Sequence, residues 1–230
     1  MILADNPLQA ILWDMDGVLV DNNELHYQTW VEIYRIYGHG EQPLSRARFN
    51  SIFGMRNDET ITHLFGSAQA GPDFITHISE VKETLFRQRL QGKVKPLPGV
   101  QHWLAYWPTV GVRQALASSA PQANIEAILA ELELHSFFEV VVSGEAGQIT
   151  RSKPAPDVFL EAARQLEVAP ANCLVVEDAV VGVQAAKSAG MRCVAVTTTH
   201  SPADLAAADL VVENLAELPP ARLVEWWPTL

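Results

Sequence analysis

Six short stretches of the chain are apolar almost throughout: Ala10–Trp13, Gln114–Ala117, Val140–Val142, Leu174–Val176, Val194–Val196 and Leu210–Val212. None alternates apolar with polar positions. Runs of this kind predict strands buried on both faces of a parallel sheet. Helix-like segments separate most of them. Those at 121–132 and 156–166 each open on a proline, which suits a first helical turn. The one at 179–189 is followed by Gly190, a good stop. Strands alternating with helices predict an α/β domain, a doubly wound parallel sheet of Rossmann-like type.

The pattern changes between the first run and the second. From Asn22 to Lys93 no comparable strand run occurs. Tyr27, Trp30, Val31 and Tyr34 instead fall at i, i+3, i+4 and i+7, one face of a helix, and Ile78, Val81 and Leu85 continue that behaviour. The expectation is a small α-helical domain over residues 22–93, inserted into an α/β core made of residues 1–21 and 94–230. The chain returns through Lys95-Pro96-Leu97-Pro98-Gly99, a stiff connector. Two crossings, near Asp21 and near Pro96, would let the insert move as a lid.

The residues at the strand ends carry the chemistry. Ala10–Trp13 ends in Asp14-Met15-Asp16-Gly17, two carboxylates one residue apart and then a glycine able to turn tightly. Like charges at the end of a buried strand repel and lose solvation, unless a cation or an open polar cleft receives them. The later strands end in Ser118-Ser119, Ser143-Gly144, Glu177-Asp178 and Thr197-Thr198-Thr199. Ligands of doubly wound sheets bind beyond these carboxyl ends. Asp14 is therefore the candidate nucleophile toward a phosphoryl group, forming an aspartyl phosphate. An anion attacking an anion needs neutralisation, and Mg²⁺ held by Asp14 and Asp178, with Asp16 and Glu177 beside them, would supply it. Asp16 is the candidate general acid and base. Ser118 offers a hydroxyl, the Ser119 loop offers backbone N–H groups, and Lys153 brings an ammonium on a proline-stiffened loop. Singly, each of these is commonly a turn, a cap or a solvated charge. Their order, one at each strand end, is what makes them a centre.

Composition narrows the partners. Hydrophobic content of 48% and charged content of 19% are ordinary for a globular chain of 230 residues. A net charge of −11 argues against general affinity for nucleic acid or anionic membranes, so an anionic substrate must be drawn in by local cations. No apolar stretch approaches membrane-span length, and no basic-then-apolar leader opens the chain, so a cytoplasmic location is expected. Cys173 and Cys193 sit in apolar runs and read as core residues. A monomer or small homo-oligomer is expected. Trp226 and Trp227 read as packing of the last segment onto the core.

Taken together, these motifs resemble the haloacid dehalogenase superfamily of phosphotransferases. Asp14-Met15-Asp16-Gly17-Val18-Leu19 is similar to its first motif, Ser118 to its second, Lys153 to its third and Glu177-Asp178 to its fourth. Within it, Asp21-Asn22-Asn23-Glu24-Leu25-His26 and Ser152-Lys153-Pro154-Ala155-Pro156-Asp157 resemble the beta-phosphoglucomutase-like group, whose inserted domain is a helical cap. The resemblance implies a small phosphorylated metabolite as substrate. It also implies a role for His26 in substrate handling.

The chain departs from the mutase where a second phosphate must be gripped. Ala120-Pro121-Gln122 replaces a Ser-Lys-Asn-type stretch. Gly54-Met55-Arg56-Asn57 carries its arginine one residue early, and the place of a cap lysine falls near Glu80. Fewer charge-assisted hydrogen bonds would hold a bisphosphate. The expectation is a Mg²⁺-dependent phosphatase of small phosphorylated metabolites, sugar phosphates foremost, with Arg56 a candidate substrate contact. The alternative is a phosphohexomutase using the same aspartyl phosphate. A signalling receiver is disfavoured because its acceptor aspartate ends the third strand. A true dehalogenase is disfavoured because it needs neither Mg²⁺ nor an acid at position 16.

Overall fold

The computed structural model describes residues 7–38, 42–53, 55–144 and 149–227. In chain order its elements begin with β1 (Ala10–Trp13), α1 (Asn23–Tyr37), α2 (Arg46–Asn50), α3 (Asn57–Phe65), α4 (Pro72–Leu90) and α5 (Val100–Thr109). They continue with β2 (Arg113–Ser118), α6 (Gln122–Glu131), β3 (Val140–Ser143), α7 (Asp157–Gln165), β4 (Cys173–Glu177) and α8 (Val180–Ser188). The last are β5 (Arg192–Val196), β6 (Leu210–Val212) and α9 (Pro220–Trp226). The chain divides into two compact units, residues 1–21 with 95–230 and residues 22–94.

The first unit is a six-stranded sheet in the order β3-β2-β1-β4-β5-β6, with every pair parallel. All six apolar runs are strands, and the fold is the doubly wound α/β type. β1 and β4 are neighbours although the chain visits β2 and β3 between them. That reversal of direction opens a crevice above the β1 and β4 ends. All four residues of β1 are fully buried because helices cover both faces. Leu12 and Val175 face a core built with Phe159 and Ala162 of α7 and Val183 and Ala186 of α8. On the opposite face Trp13 meets Trp103 of α5 edge-on at 6.0 Å. Gln114, the one polar residue of its run, is buried there and satisfied. It accepts from Trp13 Nε1 at 3.1 Å and donates to the Leu104 carbonyl at 3.0 Å.

Two helix starts shift by one residue. Pro121 and Pro156 stand just outside α6 and α7, as N-caps, and Pro121 has the non-helical ψ of 146°. Trp227 is buried under Arg192 and packs onto the core, whereas Trp226 is half-buried with Arg222 over its ring. Among the described residues no helix is long and apolar enough to cross a membrane.

The second unit is α1 to α4 around its own core of Trp30, Ile33, Phe49, Ile52, Ile61, Leu64 and Ile78. Tyr27, Val31, Tyr34, Val81 and Leu85 pack against it, partly buried.

Candidate active site

β1 delivers Asp14 directly over the crevice. Its N–H continues the parallel ladder, donating to the Val176 carbonyl at 3.0 Å, so Asp14 stands level with the end of β4. The chain then folds tightly back: Leu19 N–H donates to Met15 O at 2.8 Å and Gly17 N–H to Val20 O at 2.7 Å. Gly17 carries φ +85°. A Cβ there would stand 1.9 Å from Asp178 Oδ2, so the turn needs glycine for its conformation and for its close approach to the acid.

Asp14, Glu177 and Asp178 are all buried, and each offers an oxygen within 4.8 Å of the others. Lys153 joins them. Its ammonium donates to Asp14 Oδ1 at 2.6 Å and to Glu177 Oε1 at 2.7 Å, with the Phe159 ring 4.7 Å away. Glu177 is oriented further by the N–H groups of Asp178 and Ala179, which donate to its Oε2 at 2.8 and 2.9 Å. Asp178 is bound by Thr199, whose hydroxyl lies 2.5 Å from Oδ2.

This concentration of charge resists ionisation. Burial pushes Asp14 up to about 7; the neighbouring Glu177 and Asp16 charges add to that, and Lys153 opposes it. Burial, then Glu177 and Asp14, raise Asp178 well above the ordinary carboxylate range. Burial works against the Lys153 charge, yet Asp14 and Glu177 hold its ammonium above the usual lysine value. With three carboxyl groups beside one ammonium, the site has more acidic than basic groups and offers carboxylate oxygens as ligands. That donor set fits a hard divalent cation such as Mg²⁺.

Asp16 is half-buried and close enough to perturb Asp14, but its carboxylate is not in the three-residue group. Ser118 ends β2, next to β1 in the sheet, and its Oγ accepts from Ala120 N–H at 3.1 Å. Ser143 Oγ donates to the Ala120 carbonyl at 2.7 Å, and Gly144 N–H to the Ser118 carbonyl at 2.7 Å. These bonds tie together the loops after β2 and β3, with half-buried Ser119 between them.

His26 and Arg56 lie in the second unit. Arg56 caps α3, with its Nε 3.4 Å from Asp58. Gly54 of the same motif is outside the described residues. His26 stacks on Phe86 at 4.1 Å, and burial, with the Lys82 ammonium beside it, keeps it well below the usual histidine value.

Lys82, two residues beyond Glu80, is a buried lysine of the second unit that the sequence reading did not name. It lies 3.2 Å from His26 Nδ1 and 2.8 Å from Glu83, which also accepts from Asn57 at 2.7 Å. The signal was present in the sequence. Ile78, Lys82, Phe86 and Leu90 recur every fourth residue, so the lysine sits on the apolar stripe of α4. Thr199 stands in the polar run after its strand that the sequence singles out, but the sequence assigns it no role.

Comparison with known proteins agrees with this geometry. The model of the haloacid dehalogenase-like hydrolase family matches residues 11–196. The chain is 31% identical over 188 residues to a phosphorylated carbohydrates phosphatase of Thermotoga maritima, covering 80% of this chain and 83% of that protein. It is 32% identical over 233 residues to a beta-phosphoglucomutase of Bacillus subtilis, covering 96% of each. It spans only 54% of the chloroplastic 5-amino-6-(5-phospho-D-ribitylamino)uracil phosphatase of Arabidopsis thaliana, at 29% identity. Among solved structures, CbbY from Rhodobacter sphaeroides in complex with phosphate superposes with a TM-score of 0.82 at 27% identity, over 92% of this chain and 96% of that one. With the motif residues in order along the matched span and gathered at one sheet end, the chain belongs to the haloacid dehalogenase-like hydrolases.

Proposed function

We propose that this protein is a Mg²⁺-dependent phosphatase of small phosphorylated metabolites, sugar phosphates foremost, acting through an aspartyl phosphate on Asp14. The observation that carries the reading is Asp14 itself. It ends the central strand, bonded to Lys153 at 2.6 Å and grouped with Glu177 and Asp178. The similarity to a phosphatase of phosphorylated carbohydrates supports the substrate class.

In this reading Asp14 attacks phosphorus and the bond to the leaving oxygen breaks, with Asp16 giving that oxygen a proton. Asp16 then takes a proton from water as the water attacks phosphorus. The Asp14–phosphorus bond breaks, and Asp14 is regenerated with release of inorganic phosphate. Asp14, Asp178 and Glu177 would hold Mg²⁺, which when bound offsets the charge of nucleophile and phosphate. Lys153 neutralises charge on the same oxygens, and the Ser118 hydroxyl with the Ser119 N–H groups would receive phosphate oxygens. The second unit would act as the cap, with His26, Arg56 and Lys82 as its candidates for recognising the organic part.

A mutase reading is favoured by the match to beta-phosphoglucomutase over nearly the whole chain, and by Lys82. Against it stand Ala120-Pro121-Gln122 and the commitment of Asn57 to Glu83. Phosphate release from a panel of sugar phosphates, with and without Mg²⁺, tests the first reading. Interconversion of glucose 1-phosphate and glucose 6-phosphate that needs a bisphosphate primer, without net phosphate release, would establish the second.

A further inference from the structure

We propose that Thr199 and His200 are positioning residues that lock the Asp178 carboxylate, so that one of its oxygens is held by the protein and the other is presented to a cation. The proposal rests on the metal-site reading above.

Thr199 follows the end of β5, the strand beside β4, and it reaches back across the sheet to a residue 21 positions earlier. Its hydroxyl oxygen lies 2.5 Å from Asp178 Oδ2 and 3.0 Å from the Asp178 carbonyl oxygen. His200 Nδ1 lies 2.8 Å from the same hydroxyl oxygen and 3.1 Å from the same carbonyl. Four polar atoms thus share a small space, and the number of protons decides how they pair. The carbonyl oxygen only accepts, and so does an ionised carboxylate. Thr199 has a single proton to give. If it went to the carbonyl, a carboxylate oxygen would face the hydroxyl lone pairs at 2.5 Å, which is repulsive.

With Asp178 ionised, the form that binds a cation, the arrangement closes one way. The Thr199 proton goes to Asp178 Oδ2, a short bond of the kind that ionised acceptors make. His200 then carries its proton on Nδ1 and shares it between the Asp178 carbonyl and the Thr199 oxygen. Fed by His200, the hydroxyl is directed at the carboxylate and cannot rotate away. Gly17 closes the other side of Oδ2, since even a Cβ there would overlap it. With Oδ2 fixed on both sides, the plane of the carboxylate is set and Oδ1 becomes the ligand oxygen. Partners that orient a metal ligand in this way commonly govern metal affinity.

The test measures metal binding without turnover. Mn²⁺ serves as the probe, and free ion is counted by electron paramagnetic resonance as metal-free protein is titrated. Thr199→Val, which keeps the shape and removes the proton, is expected to weaken Mn²⁺ binding by about 10- to 100-fold. Thr199→Ser restores the hydroxyl and is expected to return to within about threefold of wild type. In wild type saturated with Mg²⁺, which keeps Asp178 ionised, nitrogen-15 NMR of His200 is expected to show a bonded proton on Nδ1. Melting of each metal-free variant separates positioning from unfolding, and both variants should melt near the wild-type temperature. Unchanged Mn²⁺ affinity in Thr199→Val, or a His200 proton on Nε2 alone, overturns this proposal and leaves the metal reading standing. A wild type that binds no Mn²⁺ overturns both.

Discussion

A methyl group at Gly182 would stand 1.7 Å from Oε1 of Glu177, the oxygen that accepts from Lys153. Gly182 lies in the first turn of α8, and its missing side chain is the space the glutamate occupies. Position 182 is therefore fixed by the site rather than by the helix, where alanine would be the better former. Gly182→Ala is expected to push Glu177 aside and break its bond to Lys153, so that the ammonium is held by Asp14 alone and shifts from its place in the site. A displacement of about 1 Å at such a centre can cost about 100-fold in kcat/KM, and that is the loss expected here in phosphate release. Gly71→Ala is the control, because nothing lies within 4 Å of a Cβ there, and it should retain wild-type rates.

The role assignments separate in two carboxylates. Asp14→Asn should abolish turnover with the fold intact, since the amide cannot form the aspartyl phosphate. Asp16→Asn should still accept phosphate but handle protons poorly, slowing turnover by about 10²- to 10⁴-fold. Rapid-quench labelling with radioactive phosphate ester checks both: no acid-stable label in the first, slowed decay of label in the second. A fully active Asp14→Asn enzyme would refute covalent catalysis by this residue.

Most of the first unit was legible because its strands are buried on both faces. Apolar runs such as Ala10–Trp13 can take few other forms in a chain with this alternation of elements. The acidic strand ends were legible for the complementary reason, since carboxylates at the end of a buried run stand out against it. Lys82 and Thr199 escaped for different reasons. Lys82 was passed over because attention fell on Glu80, although its place on the buried stripe of α4 marked it. Thr199 touches Asp178 only through the pairing of β4 with β5, and side-chain contacts across a sheet leave no spacing in the sequence.

The buried pair Lys82–Glu83 makes the second unit sensitive to single changes. The two side chains are 4% and 9% exposed, so solvent screens them little. Glu83→Ala would strand a buried ammonium and remove the acceptor of Asn57, at a cost of about 3–5 kcal/mol. The double variant Lys82→Met with Glu83→Leu replaces both charges by apolar groups and should cost much less. Urea unfolding of the three proteins tests this, and equal losses in single and double variants would refute a coupled pair.

The raised carboxylates give the metal effect a pH dependence of defined sign. Asp14 sits at about 7 in the folded protein against an ordinary value of 3.8, with burial as the largest cause. An acid raised by folding binds its proton more tightly in the folded chain than in the unfolded one. Between about pH 4 and pH 7 the unfolded chain carries fewer protons at this group, so metal-free stability falls as pH rises through that window. Asp178 is raised as well and acts in the same direction. Mg²⁺ competes with these protons, because the form it binds is the ionised one. Added Mg²⁺ is therefore expected to raise the melting temperature strongly at about pH 8 and weakly at about pH 5. Asp14→Asn removes one of the charges. It should stabilise the metal-free protein at the higher pH and shrink the Mg²⁺ response there. Melting curves in excess Mg²⁺ and in chelator, at both pH values, read all of this, and a Mg²⁺ shift of equal size at the two would show that the cluster does not bind the ion through its ionised carboxylates.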